Sequence, residues 1–239
     1  MEKLHFLNNQ FKEQGINVIK LRNLLSLLPD HIKNHEIRTL FPPTEIGSIT
    51  LVDQIVLLTL IKLSNPGHIL EIGTYQGYTT SLFLKNTINS IVSTIDLPKT
   101  FDSKKNAPFR KSSILTSGEE NDEYLKLIKN KSGDHYLNDL DKFTKERLNL
   151  IKVNSTNFDF KQLTDFIDFA FIDGGHDYET ILSDTKNVKN FLNKKGLIVW
   201  HDYSTSIHTD VNSFLNEYAK NTRLFHVSGS LCAFEIFDT

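Results

Sequence analysis

The sequence predicts an α/β fold: a doubly wound sheet of seven strands, one of them antiparallel in a C-terminal hairpin, with an N-terminal helical cap. Three observations predict it. Short apolar runs recur along the chain, each ending in a small or acidic residue. Helical patterns fill most of the intervals between them, the alternation that gives a parallel sheet covered on both faces. The tail then breaks the alternation with two strand-like runs around Ser228-Gly229-Ser230, a turn signal.

In chain order, the first 40 residues read as helical. Leu21, Leu24, Leu25 and Leu28 recur at helical spacing, and Pro29 ends or kinks the segment. Phe41-Pro42-Pro43 is a breaker. A helix over about Thr50–Ser64 follows, stopped by Asn65-Pro66-Gly67. The apolar runs are His68–Ile72, Ser90–Ile95, Leu148–Val153, Phe166–Ile172 and Leu197–Trp200. Their continuous apolar character is that of strands buried on both faces. Helices are expected over Thr79–Lys85, Tyr136–Arg147, Tyr178–Asn193 and Val211–Lys220, and the hairpin strands over Leu224–Val227 and Leu231–Phe237. Residues 97–134 are polar and read as an insertion holding a short helix near Glu123–Lys129. The organisation is thus an N-terminal helical extension over 1–45 and one domain over 46–239 that carries the insertion.

Composition narrows the function classes. With 239 residues, 27 Lys and Arg against 29 Asp and Glu, the net charge is −2. No basic face stands out, which argues against nucleic acid or an anionic membrane as partner. A single cysteine excludes an internal disulfide and a Cys-rich metal site. The polar start is not a signal peptide, and the longest apolar stretch, 49–63, is too short to span a bilayer. A cytoplasmic protein is expected. Its apolar N-terminal helices could cap the sheet or pair with a second chain as an oligomer.

Three stretches carry chemistry. In Glu71-Ile-Gly73-Thr-Tyr75-Gln-Gly77-Tyr78-Thr79 a strand runs into a glycine-containing loop and then a helix. Such a loop lets backbone amides approach a ligand. The position where a dinucleotide fingerprint needs its second glycine is Tyr75, so a pyrophosphate is disfavoured. An adenosine with an amino-acid tail fits better. Asp96, ending the second run, suits the hydroxyls of a ribose. Phe171-Ile-Asp173-Gly-Gly-His176-Asp177-Tyr-Glu179 and Trp200-His201-Asp202-Tyr203 both fall at strand ends. They bring Asp173, His176, Asp177, His201 and Asp202 to one rim. Carboxylates with imidazoles could hold magnesium or manganese, and His176 could serve as a general base. The remaining histidines, His208 among them, show no companions at ligand spacing and read as surface or core residues. Cys232 reads as core filler.

Together these motifs resemble the class I S-adenosylmethionine-dependent methyltransferases, with a Rossmann-like sheet. The nearest branch is that of small-molecule and sugar O-methyltransferases, which carry Phe-Ile-Asp-Gly-x-His-x-Tyr-Glu followed by His-Asp-Tyr. The resemblance covers about residues 45–239. It implies that Glu71, Gly73, Tyr75, Gly77, Tyr78 and Thr79 shape the pocket for the amino-acid end of the cofactor. It also implies that Asp96 holds its ribose, that Asn154 and Ser155 lie beside its adenine, and that Asp173 faces the methionine moiety. Related sugar enzymes take metal ligands from the acid after strand four and an acidic pair after strand five. Here those positions are Asp173, His201 and Asp202, with His201 where an acid is usual. The implied catalytic set is His176, Asp173 and His201, the acceptor a small molecule or sugar, and the reaction in-line methyl transfer to a hydroxyl. An NAD-linked oxidoreductase and a cofactor-binding scaffold without catalysis are the alternative readings.

Overall fold

The computed structural model describes residues 2–11, 13–33, 36–41, 47–98, 135–163 and 166–237. The expected helix near 123–129, and all but the first two residues of the expected insertion, lie outside them. The elements are α1 (Glu2–Gln10), β1 (Gly15–Lys20), α2 (Leu21–Ser26), α3 (Asp30–Lys33), α4 (Leu51–Ser64), β2 (His68–Ile72), α5 (Tyr78–Asn86), β3 (Ile91–Asp96), α6 (His135–Asn138), α7 (Lys142–Lys145), β4 (Leu148–Lys152), β5 (Ile167–Ile172), α8 (Tyr178–Phe191), β6 (Leu192–Trp200), α9 (Thr209–Tyr218), β7 (Arg223–Ser228) and β8 (Ala233–Ile236). The strands form one sheet in the order β1-β7-β8-β6-β5-β2-β3-β4. Only β8 runs against its neighbours, pairing antiparallel with both β6 and β7.

Among the described residues the sheet has eight strands where seven are expected, and the extra one corrects the picture of a purely helical N-terminal cap. β1 reads Gly-Ile-Asn-Val-Ile-Lys and pairs parallel with β7 from Gly15↔Arg223 to Lys20↔Ser228. Its branched residues fit a pleated strand. It is an outer strand with only Ile19 buried, so it lacks the apolar run that marks the inner strands. The leucine spacing that follows belongs to α2 alone. The helix expected over Tyr136–Arg147 is broken into α6 and α7, because Asp141 caps the second piece by accepting from the Thr144 amide at 2.9 Å.

Strand alternation divides the interior into two cores. Ile69, Phe169, Phe171, Leu197 and Val199 face α4 and α5. Leu70, Ile72, Ala170, Ile172, Ile198 and Trp200 face α8 and α9. The α4 end is set by a capping box: the Thr50 hydroxyl accepts from the Asp53 amide, and the Asp53 carboxylate accepts from the Thr50 amide. Asn65 closes α4 in a left-handed conformation.

Chain order reverses between β2 and β5: β2, β3 and β4 progress to one side, β5 and β6 to the other. In an open α/β sheet the crevice at this switch point, beyond the C-terminal strand ends, is where ligands bind. Among the described residues no helix is long and apolar enough to cross a membrane.

Candidate active site

The loop after β2 is built against the loop after β5. Gly73 continues the sheet by donating to Ile95 O at 2.9 Å, and Asp173 does so by donating to Ile72 O at 2.8 Å. Gly73 has φ +105°, and a Cβ there would stand 1.9 Å from the carbonyl oxygen of Asp173. Only glycine allows this approach. Tyr75 is left-handed at φ 47°, and Gly77 at φ +79° turns the chain into α5 against Leu137. Tyr78 packs edge-on against Tyr136. Its hydroxyl donates to Leu40 O at 2.8 Å and accepts from Gln54 at 2.7 Å, so that group faces the N-terminal segment. Thr79 is buried in the first turn of α5.

Glu71 is fully buried on the α5 side of β2. Its Oε2 accepts from the hydroxyls of Thr80 and Thr94, the latter at 2.6 Å. Its Oε1 is buried with no hydrogen-bond partner among the described residues. Burial, reinforced by the charges of Asp173 and Asp96, pushes its carboxyl up to about 8. Three acids therefore converge on the glycine loop, and the charges of the other two add to burial in opposing ionisation of Glu71. Asp96 sits at the end of β3 with Lys152 at 3.5 Å, its register partner on β4. Asn154 caps a short 3-10 turn by accepting from the Thr156 amide at 3.1 Å.

The second half of the site follows from register. Ile172 pairs with Trp200, so Asp173 and His201 come next side by side, both turned to the α4 face. His201 Nδ1 lies 3.2 Å from Asp173 Oδ1 and 3.4 Å from Asp202 Oδ2. Its Nε2 lies 3.4 Å from Asp53 Oδ2. Burial alone would lower the imidazole's pKa, but the surrounding carboxylates of Asp173 and Asp202 raise it well above the usual range. Burial likewise opposes ionisation of Asp53, and the His201 contact with the capping hydrogen bonds holds it down to about 2. Asp53 also accepts from the Leu231 amide at 2.8 Å, tying the first turn of α4 to the β7–β8 hairpin.

Asp202 is left-handed (φ 59°), and this turns its carboxylate under the β5 loop. His176 Nε2 lies 2.8 Å from Asp202 Oδ2. Despite burial, His201 and His176 hold the Asp202 carboxyl well below its usual range. The His208 ring stacks on His176 with centroids 4.0 Å apart and planes at 29°, and its Nε2 is 3.9 Å from the same Asp202 oxygen. Asp177 caps α8 by accepting from the Thr180 amide at 3.0 Å. The structure thus gathers Asp173, His176, His201 and Asp202, as the sequence suggests, and adds two residues that sequence reasoning missed. His208 is not an isolated core histidine, and Asp53 is more than part of an apolar helix.

Two groups of donors have the proximity a divalent ion needs: Asp173, His201 and Asp202, and His176, Asp202 and His208, each with one donor atom per residue inside 4.8 Å. In the first, a carboxylate backs the imidazole nitrogen remote from the other donors, the arrangement that usually orients a metal-bound histidine. The donors fit an ion that accepts imidazole. Manganese or zinc suits them better than magnesium, which prefers all-oxygen ligation.

Behind the site, Asp184 on α8 is fully buried beside Ser155, with Oδ2 3.6 Å from where a Gly174 Cβ would stand. Burial pushes its carboxyl from 3.8 up to about 7. A raised folded-state pKa means that stability is greatest below about pH 4 for this group and is lost as the pH climbs toward 7. The full cost is about 4 kcal/mol at most. The isosteric Asp184→Asn should therefore raise the melting temperature at pH 8, with the gain shrinking toward pH 4. A gain independent of pH, measured by thermal denaturation across that range, would contradict the assignment.

Comparison with known proteins agrees with this architecture. The model of a methyltransferase domain matches residues 70–203, from within β2 to just past His201-Asp202. No curated protein matches the sequence. Among solved structures, the chain is similar to a methyltransferase of Podospora anserina bound to S-adenosylhomocysteine, at 14% identity and TM-score 0.51, over 91% of this chain and 85% of that one. It is also similar to the TDP-rhamnose 3′-O-methyltransferase of calicheamicin biosynthesis, at 14% identity and TM-score 0.52, over 92% and 86%. These two share the fold. The domain match spans more than half of the sequence and contains the glycine loop and both acid-bearing strand ends, and on that ground the chain belongs to the methyltransferase-domain family.

Proposed function

We propose that this chain is an S-adenosylmethionine-dependent O-methyltransferase that methylates a hydroxyl of a small molecule or sugar. The observation that carries the reading is the convergence of Glu71, Asp96 and Asp173 on the glycine loop. The carboxylates of Asp96 and Asp173 would repel a pyrophosphate, which counts against an NAD-linked oxidoreductase. They suit a ligand with a cationic sulfonium and a cationic amino group. The S-adenosylhomocysteine bound to the Podospora protein and the sugar acceptor named for the calicheamicin protein support the same reading.

When bound, the cofactor supplies a methyl group on a positively charged sulfur. In this assignment Asp173 and Glu71 hold its amino-acid end, Asp96 accepts from its ribose hydroxyls, and Asn154 and Ser155 border its adenine. Tyr75 and the backbone around Gly73 and Gly77 shape the floor. His176 takes the proton from the acceptor hydroxyl. The Asp202 carboxylate, 2.8 Å from its Nε2, stabilises the imidazolium that forms. His201, held by Asp53, fixes Asp173 and Asp202 in place. Alignment of oxygen and methyl supplies much of the rate. If an ion takes part, Asp173, His201 and Asp202 would hold it, and it would lower the pKa of the acceptor hydroxyl.

The test is calorimetric titration with S-adenosylhomocysteine, with NAD as control, repeated with manganese and with magnesium. Micromolar binding of the former and none of the latter is the expected result. A folded sample that ignores S-adenosylhomocysteine would overturn the reading.

A further inference from the structure

Three imidazoles come close to one carboxylate oxygen: Asp202 Oδ2 lies 2.8 Å from His176 Nε2, 3.4 Å from His201 Nδ1 and 3.9 Å from His208 Nε2. His201 groups with Asp173, and His176 with His208, so Asp202 is common to two sets of donors. The first set offers two carboxylates and one imidazole, the second two imidazoles and one carboxylate. That difference separates the ions they suit. Imidazole nitrogen favours zinc and its neighbours late in the first transition row, whereas oxygen favours magnesium and manganese.

Three stretches of chain build the second set. His176 comes from the loop after β5, Asp202 from the end of β6, and His208 from the turn into α9. His208 is the N-cap residue of α9, and its side chain makes no cap hydrogen bond. The turn is held through Thr205 instead: its hydroxyl accepts from the His208 amide at 3.0 Å, and its carbonyl oxygen accepts from Asn212 at 2.6 Å. The His208 ring is laid on His176, centroids 4.0 Å apart and planes at 29°, and each presents Nε2 to the same Asp202 oxygen.

The spacing suits a single ion. Zinc binds nitrogen and carboxylate oxygen at about 2.0–2.2 Å, so the ligand atoms of a tetrahedral site stand about 3.4 Å apart. The separations of 2.8 and 3.9 Å fall on either side of that value, and the three donors lie within 4.8 Å of one another. After small side-chain movements an ion would replace the contacts that these atoms make without it. Three protein ligands leave the fourth position open, toward water or a ligand.

We propose that His176, Asp202 and His208 form a second metal site, for zinc or another divalent ion that prefers imidazole, and that filling it inhibits methyl transfer. The inhibition rests on the reading of His176 as the group that takes the acceptor's proton. A neutral imidazole has one basic nitrogen. Donation of that lone pair to an ion leaves none for the hydroxyl proton, while the acids at the glycine loop stay in place for the cofactor.

Cobalt(II) is the probe, because it takes the place of zinc and absorbs strongly in the visible when four-coordinate. Titrated into the full-length protein, it should give a tetrahedral spectrum that zinc then displaces. The spectrum should persist in Asp173→Asn, which alters only the first set, and vanish in His208→Asn. Calorimetric zinc affinity should fall about tenfold or more in His208→Asn. Asparagine is a favoured N-cap, so α9 is kept in that variant, and a thermal melt checks it. Zinc that saturates the site should lower wild-type S-adenosylhomocysteine formation about tenfold or more. It should have little effect in His208→Asn, each protein being read against its own metal-free rate.

A spectrum that survives His208→Asn, or that Asp173→Asn abolishes, places the ion in the first set and overturns the proposal. So does a wild-type protein with no tetrahedral spectrum. Zinc bound through His208 with full turnover overturns the inhibition and removes His176 as the base. The methyltransferase reading fails separately, if the metal-free protein does not bind S-adenosylhomocysteine.

Discussion

Replacing His176 with alanine is expected to cut turnover about 10²–10⁴-fold while S-adenosylhomocysteine binds as before. The separation follows from where the side chain sits. His176 belongs to the loop after β5 and pairs with Asp202 at 2.8 Å. The acids that converge on the glycine loop are Glu71, Asp96 and Asp173, whereas the carboxylate nearest the His176 ring nitrogen is that of Asp202. Asp202→Asn should also lower turnover strongly, because an amide cannot stabilise an imidazolium as a carboxylate does. It removes the shared partner of His201 as well, so some loss of thermal stability is expected in this variant and not in His176→Ala. Turnover measured as S-adenosylhomocysteine formation, beside calorimetric binding of the same product, separates the two effects. Wild-type turnover in both variants would remove His176 from the mechanism.

The elements that the sequence displays openly are those whose signal is local. A strand buried on both faces is mostly apolar, so β2, β5 and the end of β6 are legible as runs. The acid or glycine that follows each run marks its C-terminal end. That is enough to place Asp173, His176, His201 and Asp202 on one rim before any coordinates. β1 gives no such signal, because an outer strand with one buried residue needs only an edge to pair with, and β7 provides it from more than 200 residues away. Asp53 and His208 are hidden for a related reason. The Thr50–Asp53 spacing does announce a helix cap, but its reach to His201 and Leu231 depends on tertiary packing over 178 residues of sequence. For His208 no local spacing announces the contact, because its stack on His176 joins two different loops.

The largest structural effect is expected at Gly73, where alanine should cost about 3–5 kcal/mol of stability and abolish S-adenosylhomocysteine binding. Two penalties add at this position. The backbone sits at φ +105°, which an L side chain rarely adopts, and the new methyl would lie 1.9 Å from the Asp173 carbonyl oxygen. That oxygen is backbone, so no rotamer change can relieve the overlap. Relief requires the β2 and β5 loops to move apart, yet each is anchored to the sheet by a hydrogen bond just past its strand, Gly73 to Ile95 and Asp173 to Ile72. Separating them displaces Asp173 from His201 and opens the site where the three acids meet. Gly229→Ala is the informative control. Gly229 also has positive φ, at +86°, but a Cβ there meets nothing within 4 Å. Its substitution carries the conformational penalty alone, about 1 kcal/mol, and leaves binding intact. Denaturant unfolding of the two variants, read beside their calorimetric titrations, tells whether the close approach of the two loops or the backbone angle sets the requirement for glycine. Equal losses at both positions would mean that the packing of the β2 loop on the β5 loop is not what holds the cofactor site together.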